Sequence, residues 1–147
     1  MAIRGGYRSH ILRVNLNEET IEREPLPDES ILRKYIGGTG LGLYYLLRDA
    51  PPAVPATDPD APLIFMAGPL TGTPANNSSD WTTICFNVCI PYSAGVGHGH
   101  GFWGAYLKQA GHEGIFFTGR ANRPAYLWVD GDKVELRDAT HLWGLDT

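Results

Sequence analysis

Cysteine is scarce in this sequence of 147 residues, which contains only Cys85 and Cys89. If the run that holds both is one extended strand, their α carbons lie roughly 13 Å apart at about 3.3 Å per residue. That separation is too large for a disulfide bond. Two thiols are also too few to hold an iron–sulfur cluster. Both cysteines are therefore interpreted as small, half-buried apolar side chains.

Charge and long apolar runs are scarce as well. Charged residues make up 19% of the chain and the net charge is −4, with no basic run that would indicate nucleic-acid binding. The longest near-continuous apolar stretch, 63–67, is too short to span a bilayer. Residues 1–7 lack the apolar region of a secretory signal. We therefore expect a cytoplasmic protein that binds neither nucleic acid nor membrane.

The sequence contains no motif of the common hydrolase or nucleotide-binding classes. It has no Gly-x-Ser-x-Gly elbow, no phosphate-binding P-loop, no His-Glu-x-x-His and no Gly-x-Gly-x-x-Gly after a strand. Scattered acidic residues lie mostly in segments predicted to be loops and hairpins, where a solvated role is expected. We assign no catalytic residue and no metal ligand from these patterns.

A hydrophobic content of 43% and 18 glycines predict one compact, loop-rich domain over residues 1–147. Alternating or short apolar runs predict strands at 10–16, 20–24, 63–67, 82–89, 114–118, 125–129 and 133–136. Helical spacing predicts a first helix that ends near residue 35, a second helix at 41–48 and a third at about 102–110. Gly37-Gly38 is expected to end the first helix in a left-handed cap. The pattern predicts an α+β fold with mainly antiparallel β-sheet and a few short helices.

Residues 95–101 (Gly-Val-Gly-His-Gly-His-Gly) form the first candidate site, as a glycine-rich loop that leads into the helix at 102. Glycine lets a backbone approach a ligand closely, and a helix start offers free N–H groups. An anion site and simple tight packing explain such a loop about equally well. Residues 68–73 (Gly-Pro-Leu-Thr-Gly-Thr) are interpreted as a turn whose hydroxyls bind backbone groups or face a ligand.

His98 and His100 also suggest a metal site, because imidazole is a common metal ligand. Two histidines at this spacing share a metal only in a special loop geometry. Asp80 or His112 would have to fold close to complete the site. Polar contacts to a cofactor or an interface are the preferred interpretation of both histidines.

Five segments, in order and spacing, resemble the N-terminal domain of the aldehyde:ferredoxin oxidoreductases. They are 11–16 (Ile-Leu-Arg-Val-Asn-Leu), 35–42 (Tyr-Ile-Gly-Gly-Thr-Gly-Leu-Gly), 68–73, 101–111 (Gly-Phe-Trp-Gly-Ala-Tyr-Leu-Lys-Gln-Ala-Gly) and 139–144 (Ala-Thr-His-Leu-Trp-Gly). The resemblance implies an enzyme with a tungsten or molybdenum ion held by two pterin dithiolenes and a [4Fe-4S] cluster. It implies oxidation of aldehydes to carboxylic acids with electrons passed to ferredoxin; some relatives reduce aromatic acyl thioesters.

In that family the N-terminal domain is a β-rich base that cradles the bis-pterin cofactor. The cluster cysteines and most of the substrate pocket lie in later helical domains. The resemblance therefore implies that residues 1–147 act with the remaining domains or a companion subunit and are inactive alone. The number of chains that assemble is left open.

The resemblance places cofactor contacts at His98, Gly99, His100 and Gly101, with Asp80 as an altered contact. Asp80 stands where the family usually has an arginine that meets pterin phosphate, and a carboxylate repels phosphate. His98 stands in place of an asparagine, and His100 in place of a small residue. The alternative is a non-catalytic paralogue, a binding or assembly subunit that has lost pterin binding; Asp80 and the end at Thr147 favour it.

Overall fold

The computed structural model describes residues 5–146 and contains eight strands and three short helices within that range. The elements are β1 (His10–Asn15), β2 (Thr20–Pro25), α1 (Glu29–Tyr35), α2 (Gly38–Asp49), β3 (Leu63–Ala67), β4 (Trp81–Phe86), β5 (Ala94–Gly99), α3 (Trp103–Gln109), β6 (Gly114–Thr118), β7 (Ala125–Asp130) and β8 (Lys133–Asp138). Six strands form one sheet in the order β2-β1-β6-β3-β4-β5, and β7 pairs with β8 alone. The pair β1–β6 is parallel and the other pairs are antiparallel. The predicted α+β fold with mainly antiparallel sheet and short helices is confirmed.

The sheet separates two apolar clusters, because successive side chains of a strand point to opposite faces. On one face, Ile11, Ile64 and Phe116 pack with Leu41 and Tyr45 of α2. On the other face lie the buried residues of a second cluster, with partly buried side chains of the β7–β8 hairpin packed against them. Its buried members are Leu12, Val14, Leu107 and Ile115. The sheet thus lies between α1 and α2 on one side and α3 with the hairpin on the other.

The junction between α1 and α2 differs from the prediction. The residue with a positive φ after α1 is Ile36, at 62°, whereas Gly37 is extended and Gly38, with φ of 49°, starts α2. A Cβ on Gly37 would lie 2.8 Å from Cδ of Pro69 and 2.9 Å from Cα of Gly68. Gly37 is needed for this close approach to the turn at 68–69, so the prediction of a Gly37-Gly38 cap was wrong in its details.

The glycine-rich segment is the main correction to the predicted elements. Residues 95–99 are not a loop but most of strand β5, which pairs antiparallel with β4 from Ala94↔Phe86 to Gly99↔Trp81. The preceding strand ends at Phe86 rather than Cys89, because the Asn87 side chain accepts hydrogen bonds from the N–H groups of Cys89 and Ile90 and turns the chain. Cys85 and Cys89 are free thiols; Cys85 is half-buried, as expected, whereas Cys89 lies beyond the end of β4 and is exposed.

Candidate functional site

The ends of β4 and β5 bring Asp80 and His100 together. Trp81, the first residue of β4, pairs with Gly99, the last residue of β5. The residues just beyond this pair are therefore neighbours. Nδ1 of His100 lies 2.7 Å from Oδ1 of Asp80, and both side chains are exposed. Two of the predicted site residues, 20 positions apart in sequence, thus form one polar pair.

The charge of this pair depends on the imidazole. If His100 is neutral and donates its Nδ1–H to Asp80, the pair keeps one negative charge. If His100 is protonated, the pair is neutral overall. In either state the imidazole of His100 binds one of the two oxygens of the Asp80 carboxylate.

His98 and Gly99 lie on opposite faces of β5. Gly95, Gly97 and Gly99 pair with Cys85, Thr83 and Trp81, whereas His98 pairs with Thr82. His98 therefore shares its face with buried Thr82, on the side of the sheet that α2 covers. Gly101, with φ of 86°, has no atom within 4 Å of the position of a Cβ. The structure brings the predicted residues to one end of the sheet, with His98 on the α2 face and Gly99 against the indole ring of Trp81 on the other.

A cleft of about 320 Å³ lies at this end of the sheet and includes Asp80 and Thr82 in its wall. Its other walls are the start of α2 (Gly37 and Gly38), the turn at 68–71 and residues 77–78. The structure therefore joins two of the motifs that carry the family resemblance, 35–42 and 68–73, around one cleft. No arginine or lysine lines the cleft in the described part of the chain.

The hydroxyls of the 68–73 motif hold the backbone around this cleft. Thr71 Oγ1 accepts a hydrogen bond from the N–H of Gly68 at 3.0 Å and donates one to the carbonyl of Asp80 at 2.8 Å. Thr73 Oγ1 donates to the carbonyl of Leu70 at 2.8 Å. Of the two roles predicted for these hydroxyls, the structure shows the binding of backbone groups. Because Thr71 is buried and binds the backbone of Asp80, it fixes where that side chain starts.

His112 does not join His98 and His100. It is fully buried, its Nδ1 lies 2.9 Å from Nε2 of His10, and its Nε2 lies 3.1 Å from the carbonyl oxygen of Gly131. Within residues 5–146, no three His, Cys, Asp or Glu side chains are grouped so that they could hold a metal ion. A metal site built from His98, His100 and His112 is therefore inconsistent with the fold.

The histidine contact has a defined direction. A carbonyl oxygen only accepts, so Nε2 of His112 carries the hydrogen that binds Gly131. Neutral His112 then accepts at Nδ1 from Nε2–H of His10, whose Nδ1 accepts from the Ser9 hydroxyl at 2.8 Å. Burial lowers the pKa of both histidines, His112 and His10 alike. This chain of hydrogen bonds connects the start of β1 to the turn of the β7–β8 hairpin.

Lys108 and Glu113 form a buried ion pair that the sequence did not indicate. Nζ of Lys108 lies 2.6 Å from Oε2 of Glu113, and their side chains are 3% and 0% exposed. Lys108 also donates to the carbonyl of Gly6, and Arg8 donates its backbone N–H to Glu113 at 2.6 Å. Burial lowers the pKa of Lys108 and raises that of Glu113. The pair connects the N-terminal segment to the loop after α3.

No helix among the described residues is long and apolar enough to cross a membrane. This is consistent with the absence of a long apolar run in the sequence.

The model of a known protein family, aldehyde ferredoxin oxidoreductase, N-terminal domain, matches residues 11–147. A tungsten-containing aldehyde ferredoxin oxidoreductase of Pyrococcus abyssi is 40% identical over 139 residues, which are 95% of this chain and 23% of that protein. The WOR-like subunit of an aliphatic sulfonate oxidoreductase from Pyrococcus furiosus is 35% identical over 145 residues, 95% of this chain and 22% of that protein. The chain thus spans less than a quarter of these relatives.

A solved structure has the same fold. It is the active site complex BamBC of benzoyl coenzyme A reductase in complex with 1,5-dienoyl-CoA, with a TM-score of 0.91 and 34% identity over 97% of this chain and 21% of that one. The family match covers all the segments that form the cleft. The chain therefore belongs to the aldehyde ferredoxin oxidoreductase family and corresponds to its N-terminal domain.

Proposed function

We propose that this chain is the cofactor-supporting N-terminal domain of a tungsten- or molybdenum-pterin oxidoreductase that works in the cytoplasm. The observation that carries the proposal is the family match over residues 11–147. By this proposal the complete protein oxidises an aldehyde to a carboxylic acid and passes the electrons to a ferredoxin. Reduction of an aromatic acyl thioester is the corresponding reaction if the protein follows the benzoyl coenzyme A reductase relative.

The groups around Asp80 offer hydrogen-bond donors to a phosphate-bearing pterin: backbone N–H groups, His98, and the protonated form of His100, which donates from Nε2 while its Nδ1–H binds Asp80. His98 and His100 are exposed, and Gly101 leaves its backbone uncovered. The imidazole of His100 binds the Asp80 carboxylate, which reduces the repulsion between that carboxylate and an anion. The proposed contacts are His98, Gly99, His100 and Gly101, with Asp80 acting through His100. When bound, the metal-pterin group supplies the two-electron chemistry.

The residues of this chain orient and hold the cofactor, and none is assigned to the chemical step. Thr71 fixes the backbone of Asp80, which in turn positions the imidazole of His100. Cys85 and Cys89 are not proposed as ligands of a [4Fe-4S] cluster, because such a cluster takes four cysteine thiolates. The cluster ligands are expected in chain beyond this domain or in a companion subunit.

Three variants of the complete protein test the proposed contacts. His98→Ala and His100→Ala are expected to lower the tungsten or molybdenum content, measured by elemental analysis, and the content of pterin, measured as the fluorescent product of oxidation. Asp80→Asn removes a negative charge and is expected to keep or raise both contents. His141→Ala, a substitution of an exposed histidine outside the site, is the matched control. Unchanged contents in both site histidine variants would remove these residues from the cofactor site.

A non-catalytic paralogue is the second candidate function, favoured by one observation. Asp80 and the absence of arginine and lysine from the cleft in the described residues are unusual for a site that receives phosphate. In that case the same surface serves assembly with another subunit. A complete native protein that contains neither metal nor pterin would favour it.

A further inference from the structure

The buried ammonium of Lys108, in the last turn of α3, connects three segments of the chain. The side chain is 3% exposed, and Nζ lies 2.6 Å from Oε2 of Glu113. Nζ also donates to the carbonyl of Gly6 and, at 3.4 Å, to the carbonyl of Gly68. An ammonium has three N–H donors, so each is directed to a different segment. The contact with Gly68 is not required for charge compensation, which the carboxylate alone provides.

Glu113 is held in place by its own backbone. Its N–H donates to the carbonyl of His10 at 2.9 Å, and its carbonyl accepts from the N–H of Ala67 at 3.0 Å. Ala67 is the last residue of β3 and immediately precedes the turn at 68–71. The carboxylate that binds Lys108 therefore starts from a fixed point between β1 and β3. The ammonium consequently has a defined position beside the turn.

Gly68 connects Lys108 to the cleft through a chain of hydrogen bonds. Its carbonyl, which binds Lys108, also accepts from the N–H of Thr71 at 3.0 Å, and its own N–H donates to Thr71 Oγ1. Thr71 Oγ1 donates to the carbonyl of Asp80, whose carboxylate binds His100. Gly68, Thr71 and Asp80 all line the cleft. The buried ion pair is thus joined to the polar pair at the end of the sheet.

The second carbonyl that binds Lys108 belongs to a segment packed on the same turn. A Cβ on Gly6 would lie 1.6 Å from the carbonyl oxygen of Pro69 and 3.2 Å from its Cα. Residue 6 therefore packs directly against Pro69, which lines the cleft. Lys108 binds the turn itself at Gly68 and its covering segment at Gly6, so two of its three hydrogen bonds support the wall of the cleft.

We propose that Lys108 is a positioning residue of the cofactor cleft. Its ammonium fixes Gly68 and, through the hydroxyl of Thr71, determines where Asp80 is presented to the cofactor. Lys108 does not itself line the cleft, so it acts through these residues and contacts no ligand. The inference rests on the proposed function, because that function supplies the cofactor for the cleft.

Hydrogen–deuterium exchange on the complete protein, read at single residues, tests whether Lys108 holds the turn. The N–H groups of Thr71 and Gly72 are protected in the turn by the carbonyls of Gly68 and Ser78. Lys108→Met removes the ammonium and keeps a long side chain. It is expected to raise the exchange rates of both amides at least about tenfold, because the turn then opens locally.

Leu12→Ala is the matched control for a general loss of stability. Leu12 is fully buried in the apolar cluster on the hairpin face of the sheet and does not line the cleft. Its truncation destabilises the whole domain through a core cavity. Both variants are compared at the same free energy of unfolding, set by added urea. Equal exchange rates of Thr71 and Gly72 in the two variants overturn the proposal.

The metal and pterin contents of the same variants test the connection to the cofactor. Lys108→Met is expected to contain less tungsten or molybdenum and less pterin than Leu12→Ala. Faster exchange of the turn with contents equal to those of the control overturns the role at the cleft. If Lys108→Met does not fold, Lys108→Met/Glu113→Gln replaces it with the same expectations, because it leaves no unpaired buried carboxylate.

The wild-type protein separates failure of this inference from failure of the proposed function. A wild type without metal or pterin refutes the proposed function and, with it, the role of Lys108 at a cofactor. The exchange of Thr71 still decides whether Lys108 holds the turn. A wild type with both groups, together with a Lys108→Met variant that matches Leu12→Ala in exchange and contents, refutes the inference alone.

Discussion

The side chains of Lys108 and Glu113 form an ion pair inside the domain, where burial governs its energetics. Two charges are stable there only while both are present, because each compensates the other and shares further hydrogen bonds. Oε1 of Glu113 is buried without a hydrogen-bond partner in the described part of the chain. Loss of the cation therefore leaves a carboxylate with little to stabilise its charge.

Lys108→Met is expected to lower the free energy of unfolding by about 3–5 kcal/mol, because it leaves an uncompensated buried charge. Urea unfolding followed by circular dichroism measures the change. The double variant Lys108→Met/Glu113→Gln is expected to recover part of the loss. Arg33→Ala breaks an exposed pair with Glu29 and is expected to cost only a few tenths of a kcal/mol. Similar losses of unfolding free energy for Lys108→Met, at the buried pair, and Arg33→Ala, at the exposed pair, would contradict the role of burial.

The histidine pair His10–His112 predicts a pH dependence of stability. Burial lowers both pKa values below that of the unfolded chain, about 6.5. The unfolded chain therefore binds more protons than the folded one at acidic pH. The stability is fully present above the unfolded pKa and decreases as the pH falls through about 6.5 toward the lower folded values.

Unfolding midpoints measured between about pH 8 and pH 5 test this dependence. The midpoint is expected to fall with pH, and His112→Gln is expected to reduce the slope. His141→Gln changes an exposed histidine and is expected to keep it. The raised pKa of Glu113 acts in the opposite sense, since its protonation favours the folded state, so the comparison between the two histidine variants isolates the pair. A slope that His112→Gln leaves unchanged would rule out this origin.

At the same residue scale, the sequence offered Asp80, His98 and His100 as candidates, and their assignment to a cofactor site stays a prediction; the sequence could not show which of them are in contact. The contact between Asp80 and His100 depends on the register Trp81↔Gly99, and the separation of His98 from Gly99 depends on β5 being a strand. Neither property is encoded locally. The buried position of Lys108 was not predicted either, because a lysine near a helix end is usually solvated.

At the scale of elements, β5 is the case where local propensity and tertiary structure disagree. Three glycines in six residues weaken a strand, which is why the segment was predicted to be a loop. Hydrogen bonding to β4 decides otherwise. Gly99 has a packing reason, because a Cβ there would lie 2.2 Å from the indole ring of Trp81, whereas a Cβ on Gly97 would lie 4.0 Å from Cβ of Thr83.

Gly99→Ala is therefore expected to lower the free energy of unfolding by roughly 1–3 kcal/mol through overpacking against Trp81. Gly97→Ala, in the same strand and on the same face, is expected to be neutral or slightly stabilising, because it reduces the flexibility of the unfolded chain. Chemical unfolding of both variants measures the difference. Equal effects would show that Trp81 does not press on the end of β5.

The other elements followed more directly from the sequence. The strand at 63–67 has the predicted bounds, and the hairpin around residues 130–133 follows from Asp-Gly-Asp between alternating apolar residues. The second helix starts three residues earlier than predicted, at Gly38. Glycines obscure a helix start in sequence, and the packing of α2 against β3 and β4 compensates for their low helix propensity.

At the scale of the whole molecule, the fold class could be predicted but the strand order could not. The parallel pairing of β1 with β6 joins segments that are about 100 residues apart, and alternation of apolar residues carries no information about such partners. The assignment of 1–147 as one domain stays a prediction. So does the position of the cofactor site, since no pattern in the cleft specifies its ligand.

The most direct test of the central claim is elemental and pterin analysis of the complete native protein. The account predicts tungsten or molybdenum together with a pterin, and iron in the amount of a four-iron cluster. We also expect metal, pterin and iron to be lost together when the remaining domains or the companion subunit are separated from this domain. A protein that contains neither metal nor pterin would contradict a cofactor-supporting role. The remaining candidate would then be a non-catalytic paralogue that serves in assembly.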